Sequence, residues 1–254
     1  MPSSPGSIRL FQFSGIDVFL HWSWFFVAVY EISSRGKRYP SLVWNVIEYL
    51  ALFVIVLLHE FGHALACRQV GGRANKIMLW PLGGVAYVDP PPRPGATLWS
   101  IAAGPLVNVV FLLFLSLAMF AKSGWAVAFP YAYLLVRTLW GINLVLLIFN
   151  MLPIYPLDGG QILRALLWFF IGRARSLMVV TMLGFVGAAG LIAFAIWRQS
   201  LWTGLIAAYM LITCWSGWQQ ARILARAAAA EESGGHILPP ENQATNSPGS
   251  TSST

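Results

Sequence analysis

Charge is what this chain has least of. Only 10% of its 254 residues are Asp, Glu, Lys or Arg, while 57% are hydrophobic. A soluble domain carries about a quarter charged residues, so a water-soluble globular fold is excluded in favour of a membrane-embedded helical bundle. Cysteine is nearly absent as well. Cys67 and Cys214 lie at or inside apolar segments, which rules out a disulfide framework and makes both core residues. Acidic residues number nine against 16 Lys and Arg, leaving a formal net charge of +7. In a soluble domain that excess points to nucleic acid. Here the basic residues sit mainly between apolar runs, where they act as topology signals facing anionic lipid, and nucleic acid drops out as a partner.

What the chain has in abundance is apolar runs near the roughly 20 residues a bilayer requires. Six spans are expected: Asp17 to Ile32, Trp44 to Cys67, Leu98 to Phe120, Tyr131 to Leu152, Leu177 to Trp197 and Leu201 to Trp218. The first is short and aromatic-rich. No small-residue cleavage site follows it and one positive charge precedes it, so it reads as an uncleaved span. With the N-terminus in the cytoplasm, ten basic residues fall on the inner side and five on the outer. That bias places both termini in the cytoplasm of a cell-membrane protein.

Two segments break the pattern. Arg68 to Ala96 contains ANKIMLWPLGGVAYV followed by DPPPRPG; its Gly83–Gly84 pair suits a hairpin-like extended piece that the prolines then end. Bare strands cannot face lipid, so this piece has to pack on helices or line a wet cavity. From Glu231 onward the sequence turns to Ser, Thr, Pro, Gly and Asn, the composition of a disordered tail. The expected organisation is one all-α polytopic domain over residues 1–230, a short membrane-associated β-hairpin-like segment within it, and a low-complexity tail over 231–254.

The chemistry is concentrated where the second run ends in LLHEFGHALAC. His59 and His63 are four apart, so on a helix their imidazoles share a face and can grip one metal ion. Glu60 follows directly, placed to take a proton from water held at that ion. Ionisable residues inside spans are costly and usually functional. A hydrolytic zinc site ordinarily has three protein ligands and one open position, so a third ligand is needed at the same depth. Aspartate is scarce enough to narrow the choice to Asp17, Asp89 and Asp158. Asp17 opens the first run and Asp89 sits in the Pro-rich loop, whereas Asp158 lies just past the fourth span in NMLPIYPLDGGQ. Spans three and four cross away and back, which returns Asp158 to the face holding the histidines. Pro153 and Pro156 stop a simple helix, and Gly159–Gly160 permit close backbone approach. The competing role for Asp158 is to cap the helix starting near Gly160.

These stretches resemble the site-2 protease family of intramembrane zinc metalloproteases. The resemblance rests on H-E-F-G-H at His59 to His63 and N-M-L-P-I-Y-P-L-D-G-G at Asn150 to Gly160. PLGGVA at Pro81 to Ala86 and AGPLVN at Ala103 to Asn108 add to it. It implies a three-helix catalytic core over about residues 44–170. It also implies one zinc held by His59, His63 and Asp158, Glu60 as catalytic acid/base, and Asn150 near the substrate. Expected substrates are membrane-anchored proteins cut in or near their transmembrane segments, in regulated intramembrane proteolysis. Many relatives insert a PDZ domain between the second and third core helices or append a nucleotide-sensing domain, and neither is found here.

Because a transmembrane helix satisfies its own backbone hydrogen bonds, it has to unwind before a carbonyl can reach a metal. An extended stretch around Met78 to Val88, including Gly83 and Gly84, can receive the unwound piece by strand addition. His21, in the first run, is expected to be a helix-packing histidine. The alternatives of another class are a membrane metal-ion transporter and a catalytically silent relative that only binds membrane proteins. A transporter needs polar residues along a path across the bilayer, whereas here they gather at one face; silence predicts loss of Glu60 or a ligand, and all are present.

Overall fold

The computed structural model describes residues 6–26, 28–29, 39, 41–80, 83–121 and 124–234. The elements run β1 (Ser7–Phe13), β2 (Ile16–His21), α1 (Leu42–Gln69), β3 (Arg73–Trp80), β4 (Gly83–Asp89) and α2 (Pro94–Phe120). There follow α3 (Trp125–Ala128), α4 (Pro130–Asn150), α5 (Asp158–Ile171), α6 (Arg173–Arg198) and α7 (Leu201–Gly234). Among the described residues four helices, α1, α2, α4 and α6, are long and apolar enough to cross a membrane, against six spans expected. Their outward side chains, among them Leu113, Phe114, Leu117 and Ile148, are exposed, as suits surfaces meeting lipid rather than water.

The first expected span, Asp17 to Ile32, needs correction over its opening residues; residues 27 and 30–32 of it lie outside the described residues. Residues 16–21 form strand β2, with residues 24–26 and 28–29 helical beyond it. The reason is legible in hindsight: in I-D-V-F-L-H the aliphatic residues alternate, and Ile16, Val18 and Leu20 all face the core, a period of two rather than 3.6. Ser14 and Gly15, at φ +50° and +73°, make the two-residue turn with both residues left-handed that matches the twist of a tight hairpin. The fold is therefore not purely helical. A four-stranded sheet in the order β1-β2-β3-β4 accompanies the helices, with β1–β2 and β3–β4 antiparallel and β2–β3 parallel. The hairpin-like segment exists as β3–β4, Trp80 opposite Gly83 and Leu79 opposite Gly84. The segment expected as the sixth span is helical as the first part of α7, and that helix continues to Gly234, into the stretch read as tail.

The sheet lies against the C-terminal half of α1. Ile16, Val18, Ala74, Ile77 and Leu79 from the strands pack on Leu57, Phe61, Ala64 and Cys67 of the helix. Gly71, at φ +84°, ends α1, and Gly72 passes so close to Asp89 that a Cβ would lie 2.7 Å from its carbonyl oxygen. The turn thus lays β3 back along the helix that precedes it. The opposite side of the same helical stretch meets α2, where Gly62 lies against the Ala103 carbonyl. Arg68 reaches from α1 to the carbonyls of Ser14 and Gly15, tying the first hairpin to the helix.

Candidate metal centre

On α1 the residues at i and i+4, His59 and His63, turn away from the sheet and into α2, and both are buried. Each presents Nδ1 to a fixed acceptor on that helix. His59 Nδ1 donates to Asn108 Oδ1 at 2.8 Å and His63 Nδ1 donates to the Ser100 carbonyl at 3.0 Å. Such partners set the tautomer: with the proton on Nδ1, each neutral imidazole presents a bare lone pair at Nε2. Space for this is made by Gly104, since a Cβ there would lie 2.2 Å from His63 Nε2.

The two Nε2 atoms are 3.1 Å apart. Asp158 Oδ2 stands 3.1 Å from His59 Nε2 and 3.5 Å from His63 Nε2, and this buried oxygen has no hydrogen-bond donor. With both imidazole protons on Nδ1, three lone-pair donors thus converge with no hydrogen between them, an arrangement that is repulsive unless a metal ion or a proton lies among them. Ligand atoms about 2.0–2.1 Å from a tetrahedral zinc are separated by roughly 3.3–3.4 Å, close to the separations found. His59, His63 and Asp158 can therefore hold a metal ion, and two imidazoles with one carboxylate match the ligand chemistry of a catalytic zinc with a position left open.

Asp158 reaches this place on the first residue of α5. The cap position is Leu157, so Asp158 does not cap the helix. A tight loop delivers it: a Cβ on Gly159 would lie 2.4 Å from the Met151 carbonyl carbon, and one on Gly160 would lie 2.5 Å from that of Ile154. Both glycines are buried and stack the start of α5 on the loop backbone.

Glu60 occupies another side of α1, buried, with Oε2 accepting from the Ala86 N–H of β4 at 2.8 Å. It lies within electrostatic reach of His63, His59 and Asp158. Gly84 provides its room, because a Cβ there would stand 2.2 Å from Glu60 Cγ and 2.5 Å from Cδ and Oε1. Gly83 opens β4 opposite Trp80. Asn150 is half-buried at the last residue of α4, directly before the loop that carries Asp158.

Two asparagines carry roles that sequence reasoning did not assign. Asn108 orients His59, and Asn143, fully buried, donates to the Asn108 carbonyl at 2.8 Å, stitching α4 to α2 behind the site. The signal available was the placement of Asn108 in AGPLVN and of Asn143 inside a span, where an amide has to find a partner. His21 stands apart from the cluster, stacked on Trp80 with ring centroids 4.1 Å apart and its Nδ1 2.5 Å from Ser23 Oγ. Replacing Asn108 with Ala should weaken zinc binding by about 10–100-fold, the usual cost of losing such an orienting partner. Competition against a chromophoric chelator measures it, and unchanged affinity would remove Asn108 from the site.

The model of peptidase family M50 matches residues 47–133 and 122–194. The chain belongs to this family, that of the site-2 proteases. Among solved structures it is similar to the site-2 protease from Methanocaldococcus jannaschii. That match has a TM-score of 0.60 and 29% identity, and covers 84% of this chain and 95% of that one. Zinc metalloprotease MJ0392 of the same organism is 36% identical over 181 residues, 70% of this chain. The Synechocystis protein sll0528 is 29% identical over 238 residues, 85% of this chain. The chain spans 50% and 61% of the lengths of those two relatives.

Proposed function

We propose that this chain is a zinc-dependent endopeptidase of the membrane that hydrolyses peptide bonds in or near transmembrane segments of membrane-anchored proteins. His59, His63 and Asp158 hold one zinc, and Glu60 is the general base. The observation that carries this reading is the meeting of His59 Nε2, His63 Nε2 and Asp158 Oδ2, with the imidazole protons committed to Asn108 and Ser100. Bound there, zinc supplies Lewis acidity that activates a water molecule at neutral pH and polarises the scissile carbonyl.

Glu60 accepts the proton of the attacking water and returns it to the leaving amine. Its carboxylate keeps its aim because Ala86 N–H holds Oε2 and Gly84 leaves it room. Since that N–H is spent on Glu60, it points away from β3, and the outer edge of β4 faces the site. An unwound substrate can line up along this edge, with Gly83 and Gly84 permitting close approach and Asn150 contacting it from the end of α4. The basic-residue bias favours both termini and the site on the cytoplasmic side.

The test is cleavage of a model transmembrane substrate by purified protein reconstituted in bilayers. Chelation should abolish cleavage and zinc should restore it; cleavage indifferent to chelation rejects the proposal. Gly84→Ala should lower the rate by about 10²-fold through a displaced carboxylate while zinc affinity stays unchanged. A wild-type rate in that variant would show that the room left at Gly84 does not serve Glu60.

A further inference from the structure

The metal ligands come from two parts of the chain. His59 and His63 belong to α1, held between the sheet and α2, whereas Asp158 belongs to α5 and the loop before it, and α5 packs on both α2 and α6. Helices α6 and α7 form a hairpin that contributes no ligand. Among the described helices and strands α7 packs chiefly on α6, and α6 packs also on α5. The hairpin is thus seated on the helix that carries Asp158 and on the loop before it.

That seat is built from glycines placed where the ligand loop crosses. A Cβ on Gly184 would lie 2.7 Å from the Tyr155 carbonyl oxygen and 2.5 Å from Cys214 Sγ. One on Gly187 would lie 2.7 Å from Ile154 Cγ2, and one on Gly217 would lie 3.0 Å from Tyr155 Cε1. The thiol of Cys214 donates to the Tyr155 carbonyl at 3.3 Å. Tyr155 also packs on Leu177, Val180 and Ala221 of the hairpin, and burial pushes its phenol above the ordinary range. Gly190 and Gly204, on the same two helices, face open space instead. From Tyr155 the contact continues without slack, because Gly160 rests on the backbone of Ile154 and Tyr155, two residues from the ligand.

We infer that the α6–α7 hairpin is a positioning element for the third metal ligand, its glycine-lined seam gripping Ile154 and Tyr155 and thereby, together with the packing of α5 on α2, fixing Asp158 against the two histidines. This rests on the metal-centre reading above. Gly184, Gly187, Gly217 and Cys214 are positioning residues: they touch neither metal nor substrate and act through the loop. Displacing the hairpin displaces one ligand of three.

The test uses full-length protein in detergent and reads cobalt(II) binding, by its visible spectrum and by competition with a chelator, beside the melting temperature of the metal-free protein. Gly184→Ala should weaken cobalt binding at least about tenfold and perturb the visible bands, within the range for loss of outer-shell support. Cys214→Ala, which adds no bulk, should weaken it about threefold with little change in metal-free melting. Gly190→Ala and Gly204→Ala should bind as wild type. The inference is overturned if Gly184→Ala and Cys214→Ala keep wild-type affinity and spectrum, or if the open-space variants lose as much affinity as they do. Failure of the underlying reading looks different: wild type would bind no cobalt, or His59→Ala would bind as well as wild type.

Discussion

Replacing Glu60 with Gln should leave one zinc per chain in place and lower peptide cleavage by about 10²–10⁴-fold, the usual contribution of a general acid or base. Gln keeps the shape and can still accept the Ala86 N–H that now holds Oε2. It cannot take a proton from water. Loss of cleavage with retained metal therefore separates proton transfer from packing. Cleavage at the wild-type rate would reject Glu60 as the base, and loss of zinc alongside activity would assign Glu60 to the metal site instead. In cells the same variant should hold substrates uncut, and proteins recovered with it would be candidates for the natural substrates.

Removing the third ligand should act on a different quantity. Structural zinc sites bind with about 10–16 kcal/mol over four ligands, so one ligand accounts for roughly 2.5–4 kcal/mol. Asp158→Ala should therefore weaken zinc binding by about 10²–10³-fold. The metal-free protein should lose far less than the zinc-bound one, because Asp158 Oδ2 meets only the two imidazole Nε2 atoms and takes no other hydrogen bond. Wild type should melt at higher temperature with saturating zinc than without, through binding to the folded state alone, and Asp158→Ala should show little of that shift. A metal-free variant markedly less stable than metal-free wild type would mean that Asp158 serves the fold, not the ion.

The centre was legible from sequence where local geometry dictates it. His59 and His63 share a helix face by their spacing alone, and crossing parity returned Asp158 to the same side. The structure brings all three together. What was not legible depends on partners distant in the chain. Asn108 faces His59 only because α1 and α2 pack side by side, and Gly84 leaves room for Glu60 only because β4 folds back along α1. Neither follows from periodicity. The N-terminal hairpin was missed for another reason. Reading residues 17–32 as one apolar run overlooked the alternation of Ile16, Val18 and Leu20 and the Ser14–Gly15 turn, and hydropathy averaged over a span-length window erases a period of two. Over the expected sixth span α7 is helical, while among the described residues the helices both long and apolar enough to cross a bilayer are α1, α2, α4 and α6.

X-ray absorption at the zinc edge, on purified full-length protein whose zinc content has been measured, interrogates the ligand set directly. One zinc per chain is expected, with two imidazole nitrogens at about 2.0–2.1 Å, oxygen at about 2.0–2.2 Å and no sulfur, and His59→Ala should lose one imidazole from that shell. A chain that retains no zinc, or a zinc shell containing sulfur from Cys67 or Cys214, would contradict a centre built from His59, His63 and Asp158.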